Sequence, residues 1–416
     1  MRPAFHFTAA SGWINDPHGV THHGGRYHAF FQYVPGGTDW APECRWGHAS
    51  GPDLLSLHEL AVAIAPGDGD DGIWSGALVA GAHGPARAFY TAVSRPDLGI
   101  GRVRVADADD PEWISWSKGP VVADAPAGHD LVAFRDPFLR RDADAWRMFV
   151  GAGDASGTAL LLAYRSADLD TWQYEGVALA RATTERAGAW TGSMWECPQL
   201  FAVDGRDVMV CSVWDDGVLH GVAYAVGAAS GATFAVSAWG LLTHGDSHYA
   251  ASFFRDAAGR PCLTFWMRGI ADADAGWAGA HSIPYVLSLR DDVLVATPHP
   301  DLDRYRAPES SSGVVAALAA DISWTPDPDG LTICSGDAVV ARLRLAGDEV
   351  EIVAHGAATA RLPHAGPVRV IVDGPTLEVS SAGGVCGGAI DPLGDSLTVR
   401  AAGDATVHAL SRHGVE

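Results

Sequence analysis

Trp13-Ile14-Asn15-Asp16-Pro17 is the first of three short motifs that each contain one acidic residue. The second is Phe134-Arg135-Asp136-Pro137 and the third is Trp195-Glu196-Cys197-Pro198. Asp16 and Asp136 are 120 residues apart and Asp136 and Glu196 are 60 apart, so a period of 60 residues places all three acids at the same point of a repeat. If the repeat closes into a ring, the three carboxyl groups meet at its axis.

The same period appears in apolar runs that contain none of the three motif acids. The central residues of five strand-type runs follow one another at steps of 60, 59, 61 and 55 positions, and they are Phe30, Tyr90, Phe149, Val210 and Phe265. The chain between them is rich in Gly, Asp and Pro, which favours small antiparallel sheets of short strands. Five such sheets arranged radially predict a five-bladed β-propeller. A stack of sheets or a sandwich also fits the strand spacing, but neither explains why the acids are in phase.

The last hundred or so residues have a different pattern. The acid motifs stop, and apolar and polar residues alternate in runs such as residues 338–345 and 368–372. Alternation of this kind indicates strands with one buried face and one exposed face. We therefore predict an all-β chain with a five-bladed β-propeller catalytic domain over residues 1–306, followed by a C-terminal β-sandwich over residues 313–416.

Charge and hydropathy limit the partners. The formal net charge of −22 at pH 7 disfavours nucleic acid and anionic membrane surfaces and favours a neutral substrate, although a few local arginines can still bind a small phosphorylated ligand. No run approaches the ~18 apolar residues that a membrane-spanning helix needs. The chain enters its first motif without an apolar signal-peptide region, so we expect a cytoplasmic protein, or an extracellular one if a leader was trimmed.

The cysteines and histidines do not indicate a metal or a cofactor. The six cysteines show neither close pairing nor metal-ligand spacing, and the histidines are scattered. We expect the cysteines to be buried thiols in a reducing compartment, and we expect no metal and no cofactor.

Three carboxyl groups in one pocket suit the cleavage of a glycosidic bond. One carboxyl group protonates the leaving oxygen, a second acts on the sugar carbon, and a third can bind sugar hydroxyl groups. Arg135 stands beside Asp136 and is expected to keep that carboxylate ionised. Aromatic residues near the motifs would provide flat walls for sugar rings, and they are Trp13, Trp40, Trp46, Trp74, Trp195 and Trp266.

The three motifs resemble the signature blocks of glycoside hydrolase family 32, which contains invertases, inulinases, levanases and sucrose-6-phosphate hydrolases. Phe31-Gln32-Tyr33, Trp46-Gly47-His48-Ala49-Ser50, Ser75-Gly76 and the segment from Gly276 to Leu289 also match family patterns in order. The resemblance covers the first domain, and the second domain fits the family's C-terminal β-sandwich by position only.

The resemblance implies a retaining β-fructofuranosidase that acts on terminal β-D-fructofuranosyl units of sucrose or short fructooligosaccharides. Asp16 would be the nucleophile, Glu196 the general acid and then base, and Asp136 the stabiliser of the transition state. Further family positions would line the fructose pocket, and here they are Asn15, Gln32, Trp40, Ser75, Arg135 and Trp266. Trp74 stands where the family often has Phe and is expected to form a wall.

Two alternatives remain open at this stage. A fructosyltransferase or a fructan-processing enzyme would use the same site, and a catalytically silent sugar-binding propeller would keep the fold. The chain departs from the family pattern at His18, Gln199, Ser247 and Tyr285, which concerns the site of the leaving group. Whether sucrose 6-phosphate is a substrate depends on whether Arg45, Arg255 or Arg268 reaches the rim of the pocket.

Overall fold

The structure is a computed structural model that describes residues 1–80, 85–354 and 357–412. Across these residues the chain is built almost entirely from β-strands, with one short 3-10 helix at Pro300–Tyr305. None of the helices in the described part is long and apolar enough to cross a membrane. The prediction of an all-β chain is confirmed.

The first part of the chain folds into five consecutive antiparallel units. The first two units contain β1 (Gly12–His23), β2 (Arg26–Val34), β3 (Arg45–Gly51), β4 (His58–Glu59), β5 (Gly72–Val79), β6 (Arg87–Val93), β7 (Arg102–Ala108) and β8 (Trp116–Ala123). The third and fourth units contain β9 (Leu131–Arg141), β10 (Trp146–Asp154), β11 (Thr158–Ser166), β12 (Gln173–Ala182), β13 (Met194–Val203), β14 (Arg206–Asp215), β15 (Val218–Ser230) and β16 (Thr233–Leu241). After the two-residue strand β17 (Thr243–His244), the fifth unit contains β18 (His248–Arg255), β19 (Pro261–Asp272), β20 (Trp277–His281), β21 (Tyr285–Arg290) and β22 (Val293–Pro298).

Hydrogen bonds join the last unit to the first. β1 pairs in parallel with β20, where Gly12 faces Trp277 and Trp13 faces Ala278. The first strand of each unit also contacts the first strand of the next, from β1 to β5, β9, β13 and β18 and back to β1. These contacts form a closed circuit through the five units.

Each of these five first strands contains a β-bulge at a corresponding point, where its register with the neighbouring strand shifts, and β1 and β9 each have a second shift elsewhere along the strand. The bulges lie at Asn15–Asp16, Ser75, Asp136–Pro137, Cys197–Pro198 and Ala250–Ala251. The φ angles of Asp136, Cys197 and Ala250 are 63°, 45° and 48°, in the left-handed region. Because a bulge turns side chains away from the regular alternation of a strand, the same point of every unit can face the middle of the circuit.

The remaining strands form the second part of the chain. They are β23 (Arg306–Glu309), β24 (Val314–Val315), β25 (Ala319–Trp324), β26 (Leu331–Ser335), β27 (Ala338–Ala346), β28 (Glu349–Ala354), β29 (Ala357–Pro363), β30 (Val368–Asp373), β31 (Thr376–Ser381), β32 (Gly384–Ala389), β33 (Leu397–Ala401) and β34 (Ala405–Leu410). They make two sheets, in the order β17-β32-β31-β30-β25-β34-β23 and β24-β33-β26-β27-β28-β29. One hydrophobic core, which includes Trp324, Ile333 and Leu377, lies between them.

A buried polar cluster ties the two parts together around Glu378 of β31. Tyr285 donates its hydroxyl to Glu378 Oε2 at 2.6 Å, and the Ile283 amide donates to Oε1 at 2.7 Å. His6 Nε2 lies 2.7 Å from Oε1 and His248 Nε2 lies 2.8 Å from Oε2. The carboxylate of the second part is therefore paired with the N-terminal segment and with β18 of the first part.

All six cysteines are free and buried, as the sequence predicts. Cys197 lies next to a candidate catalytic residue, because it directly follows Glu196 on β13.

Candidate active site

Residues at or directly before the five bulges line a cavity of about 570 Å³. The three acids of the sequence motifs all line it, and so do six of the seven other residues that the sequence places in the pocket: Asn15, Gln32, Trp40, Trp74, Arg135 and Trp266. Ser75, the seventh, is buried behind the wall and donates its hydroxyl to Asp16. The repeat thus brings together residues as far apart in the sequence as Asn15 and Trp266.

Asp16 is held by donors on both carboxylate oxygens. Asn15 Nδ2 donates to Oδ1 at 3.0 Å, while Gln32 Nε2 and Ser75 Oγ donate to Oδ2 at 3.0 Å and 2.6 Å. Burial raises the pKa of Asp16, and the hydrogen bonds from Ser75 and Asn15 oppose that rise because they favour the ionised form. The carboxylate is therefore fixed in orientation.

Glu196 is gripped from two sides. Arg135 donates to its Oε1 through Nε at 3.1 Å and through Nη2 at 2.8 Å, and Tyr249 donates its hydroxyl to Oε2 at 2.6 Å. The guanidinium group also lies over the ring of Trp74, 5.9 Å from its centroid. These contacts hold the carboxyl group at the edge of the cavity in one orientation.

Asp136 is the most enclosed of the three acids. The backbone amide of Cys197 donates to Asp136 Oδ2 at 2.9 Å, and the Asp136 amide donates to Thr91 Oγ1 at 2.8 Å. Burial raises the pKa of Asp136 to about 7; the charge of Arg135 opposes the rise, and the charges of Glu196 and Asp16 add to it. The charge of Arg135 thus favours the ionised form of Asp136, as the sequence suggests, but burial outweighs it, and the guanidinium group forms its hydrogen bonds with Glu196 on the next unit.

The Cys197 thiol lies between the two aspartates. Its Sγ is 3.6 Å from Asp16 Oδ2 and 3.7 Å from Asp136 Oδ2. Burial, followed by the charges of these acids, raises the pKa of Cys197 well above its ordinary value. The sulfur is therefore a neutral thiol that separates two carboxyl groups.

Aromatic side chains form two pairs on the wall of the cavity. Trp13 meets Trp266 edge to face with ring centroids 5.5 Å apart, and Trp40 meets Trp74 in the same way at 5.8 Å. Two further predicted wall residues, Trp46 and Trp195, are fully buried in the cores of their units and do not line the cavity. That prediction is wrong because proximity to a motif in sequence does not distinguish the two faces of a strand.

Six residues of the cavity lining were not predicted as pocket residues, and they are Leu98, Gly99, Trp214, Gly217, Leu219 and Tyr249. Tyr249 precedes the bulge at Ala250 as Glu196 precedes the bulge at Cys197, so the 60-residue repeat carries a signal for it, weakened because this step is 53 residues. The other five lie at the ends of strands or on the connections between them, where no motif marks them.

The four positions that depart from the family pattern lie outside the cavity lining. His18 is buried against Trp46 with ring centroids 4.1 Å apart, and Gln199 accepts a hydrogen bond from the Phe253 amide. Tyr285 bonds Glu378 of the second part, and Ser247 Oγ donates to the carbonyl of Arg268 at 3.4 Å. These four side chains therefore act on a bound substrate only through the residues that line the cavity.

Among the residues that the structure describes, one group of side chains offers metal-ligand atoms. Asp256, Cys262 and His299 have ligand atoms within 4.8 Å of one another. Asp256 Oδ2 already accepts from Arg260 Nε at 2.5 Å and lies 3.0 Å from His299 Nε2. Arg260 thus already supplies the cation that pairs with Asp256, and the group is accounted for as an ion-paired cluster.

Paired carboxyl groups in a cavity with tryptophan walls, on an all-β chain, define the site of a carbohydrate-cleaving enzyme. Residues 6–298 match the model of the glycosyl hydrolases family 32 N-terminal domain. The chain therefore belongs to glycoside hydrolase family 32 and is a glycosidase.

Individual relatives agree with this. The sucrose-6-phosphate hydrolase of Zymomonas mobilis is 30% identical over 347 residues, which is 78% of this chain and 67% of the relative. The raffinose invertase of Escherichia coli is 30% identical over 328 residues, which is 73% of this chain and 66% of the relative. The solved structure of a β-fructofuranosidase from Bombyx mori has a TM-score of 0.84 and 21% identity, and the match covers 99% of this chain and 94% of that one. The last comparison concerns the fold.

Proposed function

We propose that the protein is a retaining β-fructofuranosidase that releases terminal β-D-fructofuranosyl units from sucrose or short fructooligosaccharides. Membership of the family and the names of the relatives support the reaction. The observation that carries the proposal is that Asp16 and Glu196 line one cavity in different surroundings, the first with amide and hydroxyl donors and the second with Arg135 and Tyr249.

The same proposal includes the architecture. Residues 1–306 form a five-bladed β-propeller and residues 313–416 form a β-sandwich. The circuit of contacts from β1 through β5, β9, β13 and β18 supports the propeller, and the pairing of β1 with β20 supports its closure. The single core shared by the two C-terminal sheets supports the sandwich.

Asp16 is the nucleophile of the first step. Its donors Asn15, Gln32 and Ser75 favour the carboxylate and aim it, so that an oxygen attacks the anomeric carbon of fructose. The bond from that carbon to the leaving oxygen breaks as the ester bond to Asp16 forms. The product of this step is a fructosyl-enzyme and a free alcohol.

Glu196 moves the proton in both steps. It gives a proton to the leaving oxygen in the first step, and in the second it takes one from the water that attacks the fructosyl-enzyme. Arg135 and Tyr249 orient the carboxyl group and stabilise the carboxylate that remains after the first transfer.

Asp136 binds fructose hydroxyl groups. Its position is fixed by the Cys197 amide and by the buried contact to Thr91, so its free oxygen can accept hydrogen bonds that strengthen as positive charge develops on the sugar. The Trp13–Trp266 pair and Trp74 enclose the ring on its apolar sides, and Trp40 packs against Trp74 nearer the solvent.

Chromatography of the products from sucrose, 1-kestose, inulin and levan tests the proposal. Free fructose is expected from sucrose or 1-kestose with the natural protein, and Asp16→Asn should abolish its release. Longer products instead of free fructose would make the protein a fructosyltransferase. No turnover of any of the four, in a protein whose far-ultraviolet spectrum shows the β-fold, would make it a sugar-binding propeller.

A further inference from the structure

We propose that the cavity selects β-fructosides with an uncharged leaving sugar, so that sucrose is a good substrate and sucrose 6-phosphate, whose phosphate is on the leaving glucose, is a poor one. The inference rests on the proposed function and adds the substrate class to it. It sets this chain apart from relatives that bear the name sucrose-6-phosphate hydrolase.

The position of the leaving sugar follows from depth in the cavity. The polar residues that surround the carboxyl groups are enclosed, with Asn15, Gln32 and Asp136 each 5% exposed, so the fructosyl unit belongs there. Trp40 is 46% exposed and marks the mouth. A leaving sugar extends from Glu196 towards this mouth.

The walls at the mouth are apolar. They come from the connection after β2 (Trp40), from the connection between β6 and β7 (Leu98), and from the β14–β15 hairpin (Trp214 and Leu219). A sugar ring packs its C–H faces against such side chains. A phosphate group loses water there and gains no cationic partner, because Leu98 and Leu219 offer no donor and Trp40 and Trp214 offer only a neutral indole N–H each, which is unfavourable.

The same three segments carry acidic groups. Asp39 precedes Trp40, Asp97 precedes Leu98, and Asp215 and Asp216 stand between Trp214 and Gly217. Asp39, Asp97 and Asp216 are exposed to solvent. Together with the net charge of −22, these groups place a negative potential at the mouth, which disfavours the approach of a phosphorylated sugar.

The nearby cations are already engaged. Within the described part of the chain, Arg135 is the one Lys or Arg side chain that lines the cavity, and its Nε and Nη2 both bind Glu196. Arg95, on the Leu98 segment, pairs with Glu43. Arg268 donates to the carbonyls of Leu219 and His220 at 2.8 Å and 2.9 Å and so supports the wall from behind.

Two other arginines were candidates for a phosphate contact. Arg255 donates to the carbonyls of Gly259 and Ala202 at 3.0 Å and 3.1 Å, and neither Arg255 nor Arg45 lines the cavity. None of Arg45, Arg255 and Arg268 lines the cavity, which supports a neutral leaving group.

The test compares kcat/KM for sucrose and sucrose 6-phosphate, with fructose release as the common readout. We expect a preference for sucrose of about 100-fold or more, because like charges in a partly desolvated site are strongly unfavourable. Asp39→Lys and Asp216→Lys should each reduce the ratio of kcat/KM for sucrose to kcat/KM for sucrose 6-phosphate. The reduction should come mainly from a lower KM for the phosphorylated sugar and should be larger at low salt. Asp348→Lys makes the same charge change on the exposed turn between β27 and β28 and should leave the ratio unchanged.

Equal or better turnover of sucrose 6-phosphate would overturn the inference while leaving the β-fructofuranosidase intact. A ratio that does not respond to Asp39→Lys or Asp216→Lys would overturn its electrostatic part. Fructose release from neither sugar would remove the proposed function, and the inference with it.

Discussion

The hydroxyl of Tyr249 donates a 2.6 Å hydrogen bond to Oε2 of Glu196. This bond connects β18 and β13, the first strands of the fifth and fourth units, at the cavity. Arg135 on β9 binds the other oxygen of the same carboxyl group. Residues from three neighbouring units thus meet at the Glu196 carboxyl group, and each of these residues can be substituted separately.

Tyr249→Phe should lower kcat/KM by about 10- to 100-fold, because it removes a hydrogen bond to a charged group while keeping the ring. The loss should appear mainly in kcat, since the hydroxyl acts on Glu196 and not on fructose. Steady-state kinetics on sucrose measure it. Tyr164→Phe is the matched control, because the Tyr164 hydroxyl donates at 2.7 Å to the carbonyl of Asp124, away from the cavity. Equal activity of the two variants would contradict the role given to Tyr249.

Ser75→Ala should move the acidic limb of the pH profile of kcat/KM to higher pH. The Ser75 hydrogen bond lowers the pKa of Asp16, so its loss raises that pKa, and the reactive carboxylate then forms only at higher pH. Ser237→Ala is the control, since its hydroxyl donates at 2.9 Å to the Val226 carbonyl in the fourth unit. A limb that stays in place or moves to lower pH would show that Asp16 does not set it.

Asp136→Asn should nearly abolish activity and yet stabilise the protein at alkaline pH. Burial raises the pKa of Asp136 to about 7 from an ordinary 3.8, so the folded protein resists ionising a group that the unfolded chain ionises readily. The free energy of unfolding of the natural protein therefore falls by up to ~4 kcal/mol as pH rises from 3.8 to about 7. The amide side chain of the variant does not ionise, so the variant does not lose this stability. Urea unfolding at pH 4 and pH 8 measures the change. A variant that is less stable than the natural protein at pH 8 would contradict the account.

His6 should stabilise the junction between the two parts of the chain at neutral pH. Burial alone would lower the pKa of His6, but hydrogen bonds to Asp373 and Glu378 outweigh it and raise the pKa to about 9 from an ordinary 6.5. The imidazolium then contributes up to ~3 kcal/mol below pH 6.5, and this is lost as pH rises to about 9.

Comparison of the natural protein with His6→Gln by urea unfolding tests this. The variant should be clearly weaker at pH 6, and the difference should shrink by pH 9.5. His408, whose Nδ1 lies 2.9 Å from the Ala307 carbonyl, offers His408→Gln as a control without an acidic partner. A difference that is constant across this range would show that the charge of His6 does not contribute.

The sequence predicted most of the residues that line the cavity, because they lie at or near one phase of a repeat. The bulges at Asp16, Ser75, Asp136 and Cys197 follow steps of 59, 61 and 61 residues, so position in the repeat reports position around the cavity. When strand residues and acidic residues share one period, the sequence alone therefore indicates which acids lie together at the centre of the repeat.

Contacts between units could not be predicted in the same way. Arg135 pairs with Glu196 and not with its sequence neighbour Asp136, because the distance between adjacent strands decides the partner. Trp46 was assigned to the wall and lies in the core, since either face of a strand can hold a tryptophan next to a motif. The sequence does not predict Leu98 and Trp214 at the mouth, because no motif or period marks them.

The central claim is that Asp16 carries the fructosyl group. Glu196→Gln should accumulate this intermediate from β-fructofuranosyl fluoride, whose leaving group needs no proton, because the variant lacks the base that activates water for the second step. Acid quenching, digestion and peptide mass spectrometry should then find one hexosyl unit on the peptide that contains Asp16. A hexosyl unit on the Asp136 peptide, or fluoride release without any labelled peptide, would contradict the claim.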